Sequence, residues 1–186
     1  MRGQPVDADA ALRLPHVPPR TYTFLQPMLS IRSARAPDVV LLRTMIRELA
    51  EFERKLDLVT IKETDLLRDG FSVNPKFRTL IAEWDGKPAG YTFFFGCYST
   101  WVGPRLHLED LFVREKFRGK GIGKALLAAV ARIARDENCS AMQWGVLDWN
   151  KKAIELYTVL GAEFPNELRP VLLTGDALRR LAEREW

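Results

Sequence analysis

The run Arg118-Gly119-Lys120-Gly121-Ile122-Gly123 has the composition of a phosphate cradle. Glycines let a ligand approach the backbone, and the first turn of a helix offers unpartnered N–H groups at the positive end of its dipole. Arg118, Lys120 and the adjacent Lys124 add formal positive charge. Two familiar nucleotide patterns fail here. A dinucleotide fingerprint starting at Gly119 needs glycine or alanine where Lys124 stands, and a P-loop needs a glycine at Arg118 and a hydroxyl residue at Ala125. Just upstream, Glu109 and Asp110 are adjacent carboxylates, which a regular strand sends to opposite faces. Downstream, Asn150 and Tyr157 stand seven residues apart, close to two helical turns, so one side of a helix carries both.

These groups need a scaffold, and the hydrophobic pattern supplies one. Pro37 suits a first helical position, and Val39, Leu42, Ile46, Leu49 and Ala50 recur at helical spacing, with Phe52, Glu51 and Glu53 at the end. Thr60 and Glu63 have capping-box spacing ahead of a second, shorter helix that Gly70 ends. Strands are predicted over 78–84 and 89–97, joined by Asp85-Gly86-Lys87-Pro88, and over 106–113. Ile122, Ala125, Leu126, Ala129, Val130, Ile133 and Ala134 mark one apolar helix face after the glycine run. A strand over 141–147, a helix capped by Asn150 and stopped by Gly161, a strand near Val171 and a short helix from Gly175 complete an α/β pattern.

Composition narrows the classes further. A chain of 186 residues with 47% hydrophobic content can bury one sizeable core and is short for two domains. No apolar stretch approaches the roughly 18 to 20 residues of a membrane span, and a soluble, unexported, cytoplasmic protein is expected. Cys97 and Cys139 lack metal-like spacing, and His16 and His107 are too isolated to complete a cluster, so neither a disulfide nor a metal site is predicted. The net charge of +4 is spread along the chain, which gives nucleic-acid binding little support. Residues 1–29, with five prolines and no periodicity, read as an irregular extension, leaving 30–186 as the domain.

The glycine run fits the R/Q-x-x-G-x-G/A loop of the GNAT acetyltransferases, and further segments extend the likeness. Leu108-Glu109-Asp110-Leu111-Phe112-Val113, Val146-Leu147-Asp148-Trp149-Asn150, Glu155-Leu156-Tyr157 and Leu160-Gly161-Ala162 resemble the diamine (spermidine/spermine) and thialysine N-acetyltransferase branch. So do Leu49-Ala50-Glu51-Phe52-Glu53, 65–71 and Tyr98-Ser99-Thr100-Trp101. The resemblance implies the GNAT acyl-CoA N-acyltransferase fold, a mixed central sheet flanked by helices. It also implies acetyl-CoA as cosubstrate, a small primary amine as acceptor, no metal, and a homodimer.

Site roles follow from the same resemblance. The loop, with Ile122, Gly123 and Lys124, would bind the CoA pyrophosphate, and Leu111, Phe112, Val113, Asn150 and Ala153 the rest of the cofactor. Acetyl transfer needs a base, because an amine of pKa about 10.4 leaves only on the order of one molecule in a thousand unprotonated at neutral pH. Glu109 is the expected ammonium ligand and proton relay, and Tyr157 the acid for the departing thiolate. Phe52, Glu53, Trp101 and Asp110 are expected at the acceptor pocket, and Trp144 and Trp149 in core and scaffold. The family's acidic-aromatic element before the last strand is replaced by Pro165-Asn166-Glu167-Leu168-Arg169-Pro170. Arg169 there could meet the α-carboxylate of a lysine-like zwitterion, which favours such an acceptor over a polyamine. A protein N-terminal or lysine acetyltransferase and a CoA-binding module without turnover remain the alternatives.

Overall fold

The computed structural model describes residues 28–165, 167 and 169–185. The extension expected over 1–29 lies outside the described residues as far as residue 27, and its last two positions join the fold. Leu29 opens the first strand, and Met28 exchanges hydrogen bonds with Asp85.

Among the described residues five strands form one mixed sheet in sequential order: β1 (Leu29–Ser33), β2 (Arg78–Trp84), β3 (Lys87–Ser99), β4 (Gly103–Val113) and β5 (Ala141–Gln143). The first four are antiparallel, and β4 and β5 are parallel. Asp85 and Gly86 both take positive φ, so the turn between β2 and β3 uses two residues and not four. One sheet face carries α1 (Val39–Phe52) and α2 (Glu63–Gly70); the other carries α3 (Ile122–Asp136) and α4 (Lys151–Val159). Leu42 and Met45 of α1 bury against Ile81, Tyr91 and Phe112. Leu126 and Val130 of α3 bury in a cluster with Phe94, Leu106 and Leu108.

Several sequence expectations are corrected. The N-cap of α2 is Lys62, two residues later than predicted, and Asp65 Oδ2 accepts the Lys62 N–H at 3.1 Å, the one half of the box that a lysine N-cap allows. The strand expected over 141–147 ends at Gln143. No strand forms near Val171 among the described residues, although α5 (Gly175–Ala182) follows where a helix was predicted.

The largest departure lies in β4. Phe93 pairs with Asp110 and Phe94 with Leu108, which leaves Glu109 as the extra residue of a β-bulge. Leu106 and Leu108 face α3, whereas Phe112, which regular alternation would put on that same side, faces α1. The bulge therefore switches the strand's faces midway, and it sits where β4 parts from β5.

Candidate active site

Pairing of β4 with β5 stops at His107 and Gln143, and the chains diverge beyond them. Leu108 to Val113 remain bonded to β3 on one side with no strand on the other among the described residues, while 144–147 form the opposite wall. The gap is a cleft of about 1140 Å³. Its remaining walls come from the end of α1, the glycine loop and α4.

The loop end is positive. Gly121, at φ 78°, is the N-cap of α3, and Gly119 is at φ 77°, so both occupy backbone that favours glycine. A side chain at either would meet open space, so contact does not dictate these glycines. Gly123 has ordinary backbone, and a methyl there would stand 3.7 Å from Val113 Cγ2 in normal contact. Arg118 Nε donates to the Val113 carbonyl at 3.0 Å, and its guanidinium lies 4.6 Å from the Phe52 ring centroid. That bond ties the loop to the end of β4, which Arg114 in turn ties to Glu48 of α1 through bonds of 2.7 and 2.8 Å. Lys124, Lys151 and Lys152 add cationic lining. Free N–H groups, open space and cations fit a pyrophosphate, so the residues present suit acetyl-CoA.

The other end is acidic. Glu109 and Asp110 were expected on opposite faces, but the bulge brings both to the face of α1, where Glu53 also lines the cleft. Asp110 Oδ2 accepts the Tyr91 hydroxyl at 2.8 Å. Burial is the main force pushing the Asp110 carboxyl up to about 6; the Tyr91 hydrogen bond opposes it, and the Glu109 and Glu53 charges add to it. Burial likewise raises the Tyr91 phenol well above its ordinary range.

Between the two ends stand Asn150 and Tyr157, on one side of α4 as their spacing predicts. Asn150 Oδ1 caps the helix by accepting the Ala153 N–H at 3.3 Å, which leaves its Nδ2 to donate. Tyr157 packs its ring edge-on to Trp144 at 5.2 Å, and the residue is only 7% exposed. Its hydroxyl makes no hydrogen bond among the described residues, yet the residue lines the cleft. Burial raises its pKa above 10, which keeps the phenol protonated at neutral pH.

The cleft gathers Phe52, Glu53, Glu109, Asp110, Leu111, Phe112, Val113, Arg118, Gly119, Gly121, Ile122, Gly123, Lys124, Asn150, Ala153 and Tyr157. Three expected members are elsewhere. Lys120 turns away and sets its ammonium 4.9 Å from the Trp84 ring centroid, because side chains of successive loop residues leave in different directions. Trp101, at the tip between β3 and β4, is 93% exposed. Arg169 is exposed in the segment before α5 and does not line the cleft. Trp149, expected in the scaffold, is 52% exposed and meets Phe52 at 5.4 Å to form part of the rim. Sequence reasoning missed Tyr91, whose only signal is a polar aromatic within an apolar strand.

The sequence pattern of the acetyltransferase (GNAT) family matches residues 42–162. The chain belongs to that family and is an acetyl-CoA-dependent N-acetyltransferase. It is 42% identical over 163 residues to a thialysine N-epsilon-acetyltransferase of Sus scrofa, covering 82% of this chain and 96% of the relative. The Mus musculus protein of the same name is 42% identical over 165 residues, covering 83% and 97%. A human spermidine/spermine N(1)-acetyltransferase-like protein is 39% identical over 139 residues, 71% of this chain and 20% of the relative. Among solved structures, an integron cassette protein of V. cholerae superposes with TM-score 0.69 at 24% identity, covering 84% of this chain and 98% of that one. An aminoglycoside N-acetyltransferase in complex with CoA gives TM-score 0.61 at 23% identity, covering 81% and 95%. Both share the fold.

Proposed function

We propose that the protein acetylates the primary amine of a small cationic acceptor, a lysine-like amino acid such as thialysine or a diamine, by direct attack in a ternary complex. The observation that carries this reading is the polarity of one cleft, with a helix N-terminus and cations at one end and three carboxylates at the other. The N–H groups of the first turn of α3, with Arg118 and Lys124, hold the pyrophosphate of acetyl-CoA. The unpaired edge of β4 offers backbone groups to the amides of the pantetheine arm. Bound acetyl-CoA supplies the acyl thioester.

Glu109, Asp110 and Glu53 hold the acceptor ammonium, and the carboxylate cluster accepts one of its protons on the way to solvent. The neutral amine then attacks the thioester carbon as the carbon–sulfur bond breaks. Tyr157 gives its proton to the leaving thiolate and is reprotonated by the proton shed from the amide nitrogen. One proton is released overall, as conversion of an ammonium to an amide requires.

The thialysine-named relatives support a lysine-like acceptor. The position of Arg169 removes it as the partner of an acceptor α-carboxylate, so the preference for a zwitterion rests on those relatives and not on that residue. Thiol release from acetyl-CoA, measured against thialysine, lysine, putrescine, spermidine and a neutral amino acid lacking a side-chain amine, tests the reading. Turnover is expected with the cationic amines and absent with the neutral control. Turnover confined to peptide substrates would replace it with a protein-directed activity.

A further inference from the structure

We infer that His107, a residue with no assigned part in the reaction, positions the Glu109 carboxylate for the acceptor amine through a chain of polar contacts that starts at Arg105. The inference rests on the reading of Glu109 as an amine ligand.

His107 precedes the bulge on β4, and its Nε2 stands 3.3 Å from Glu109 Oε2. Its ring stacks on Phe95 with centroids 5.0 Å apart and planes at 29°, which fixes the plane of the imidazole. Its other nitrogen, Nδ1, lies 3.5 Å from Gln143 Nε2 on β5. The amide of Gln143 is oriented in turn, since Arg105 Nη1 donates to its Oε1 at 3.3 Å.

Each link sets the next. A guanidinium only donates, so Gln143 must present its oxygen to Arg105 and its NH₂ to His107. Nδ1 is then an acceptor, which leaves the imidazole hydrogen on Nε2, facing Glu109. A carboxylate on an exposed bulge has several rotamers, and a fixed N–H donor selects one of them. The second oxygen, Oε1, has no protein donor among the described residues and is left for a ligand in the cleft.

The arrangement also explains why the chain lies at the last paired rung of β4 and β5. His107 and Gln143 are register partners there, so the chain is built on the rigid side of the opening and reaches over its edge.

The test is a double-mutant cycle read in amine kinetics. His107→Phe keeps an aromatic ring on Phe95 and removes both nitrogens, while His107→Gln retains an amide N–H near the place of Nε2. With thialysine, His107→Phe is expected to lower kcat/KM about tenfold, within the range that misplacing a reacting group costs, with acetyl-CoA affinity and melting temperature unchanged. His107→Gln is expected to recover most of the loss. In the background of Glu109→Gln, His107→Phe should cost nothing further, because the histidine acts only through that carboxylate. A folded His107→Phe enzyme with wild-type kinetics, or losses that multiply in the double variant, would overturn the inference while leaving the amine site intact. A Glu109→Gln enzyme with undiminished amine kinetics would remove the amine site itself and the role of His107 with it.

Discussion

Tyr91 and Asp110 meet diagonally across the β3–β4 pair, with the phenol hydroxyl 2.8 Å from Asp110 Oδ2 inside the sheet face that α1 covers. The carboxyl is half-buried, near two other carboxylates, and held up to about 6 from 3.8. A folded-state pKa above the unfolded one means that the native state binds more protons between about pH 4 and 6, so this group's contribution to stability falls as pH rises through that window. Asp110→Asn, which can still accept from Tyr91, should therefore raise stability at neutral pH by on the order of 1 to 3 kcal/mol and flatten that dependence. Denaturant titrations at pH 5 and pH 7 check it, and equal stability of the two proteins at neutral pH would refute it.

The same ionisation bears on activity. An ionised Asp110 helps hold a cation, so kcat/KM for the amine should rise with pH through about 6 in the wild type and lose that inflection in Asp110→Asn. Rate profiles with one amine over the range from about pH 5 to 8 resolve it.

Gly123 separates binding from folding more cleanly than the other loop glycines. Its backbone is ordinary and a methyl would fit against Val113, whereas Gly119 and Gly121 sit at positive φ. Gly123→Ala should keep or slightly raise the melting temperature, since alanine is favoured over glycine in a helix by roughly 0.5 to 1 kcal/mol, while weakening acetyl-CoA binding by crowding the cradle. Calorimetry with CoA checks both parts, and unchanged affinity would detach the phosphate from this loop.

Tyr157→Phe should leave stability nearly unchanged, because the hydroxyl makes no hydrogen bond among the described residues and the ring keeps its contact with Trp144. Loss of a general acid commonly costs about a hundredfold to ten-thousandfold, and that loss should fall on kcat with little change in CoA affinity. Wild-type turnover would return Tyr157 to a packing role.

The parts of the site that depend on local chemistry are legible in the sequence. The glycine run reads as a cradle because positive φ and a helix start are written in residue type, and Asn150 reads as a cap for the same reason. Glu109 and Asp110 are legible as residues but not in direction. Their shared face comes from a bulge that depends on how β4 meets β3, and no residue within β4 announces that register. The early end of β5 has the same origin, since a strand continues only while its neighbour stays beside it. Trp101 and Arg169 show the opposite limit, for their residue types suit an acceptor pocket and the chain path carries them elsewhere. His107 is weighed in the sequence only as a metal ligand, and its actual neighbours, Gln143 and Phe95, come from two other strands.

The most direct measurement is steady-state thiol release from acetyl-CoA with thialysine as acceptor, with the product identified by mass and by the position of the new amide, in the wild type and in Glu109→Gln. The polarised cleft predicts saturable turnover, one acetyl group on the side-chain amine for each CoA released, and a large fall in kcat/KM in the variant. Tight acetyl-CoA binding with no acetylation of thialysine or any other cationic amine, or a Glu109→Gln enzyme as active as the wild type, would contradict it.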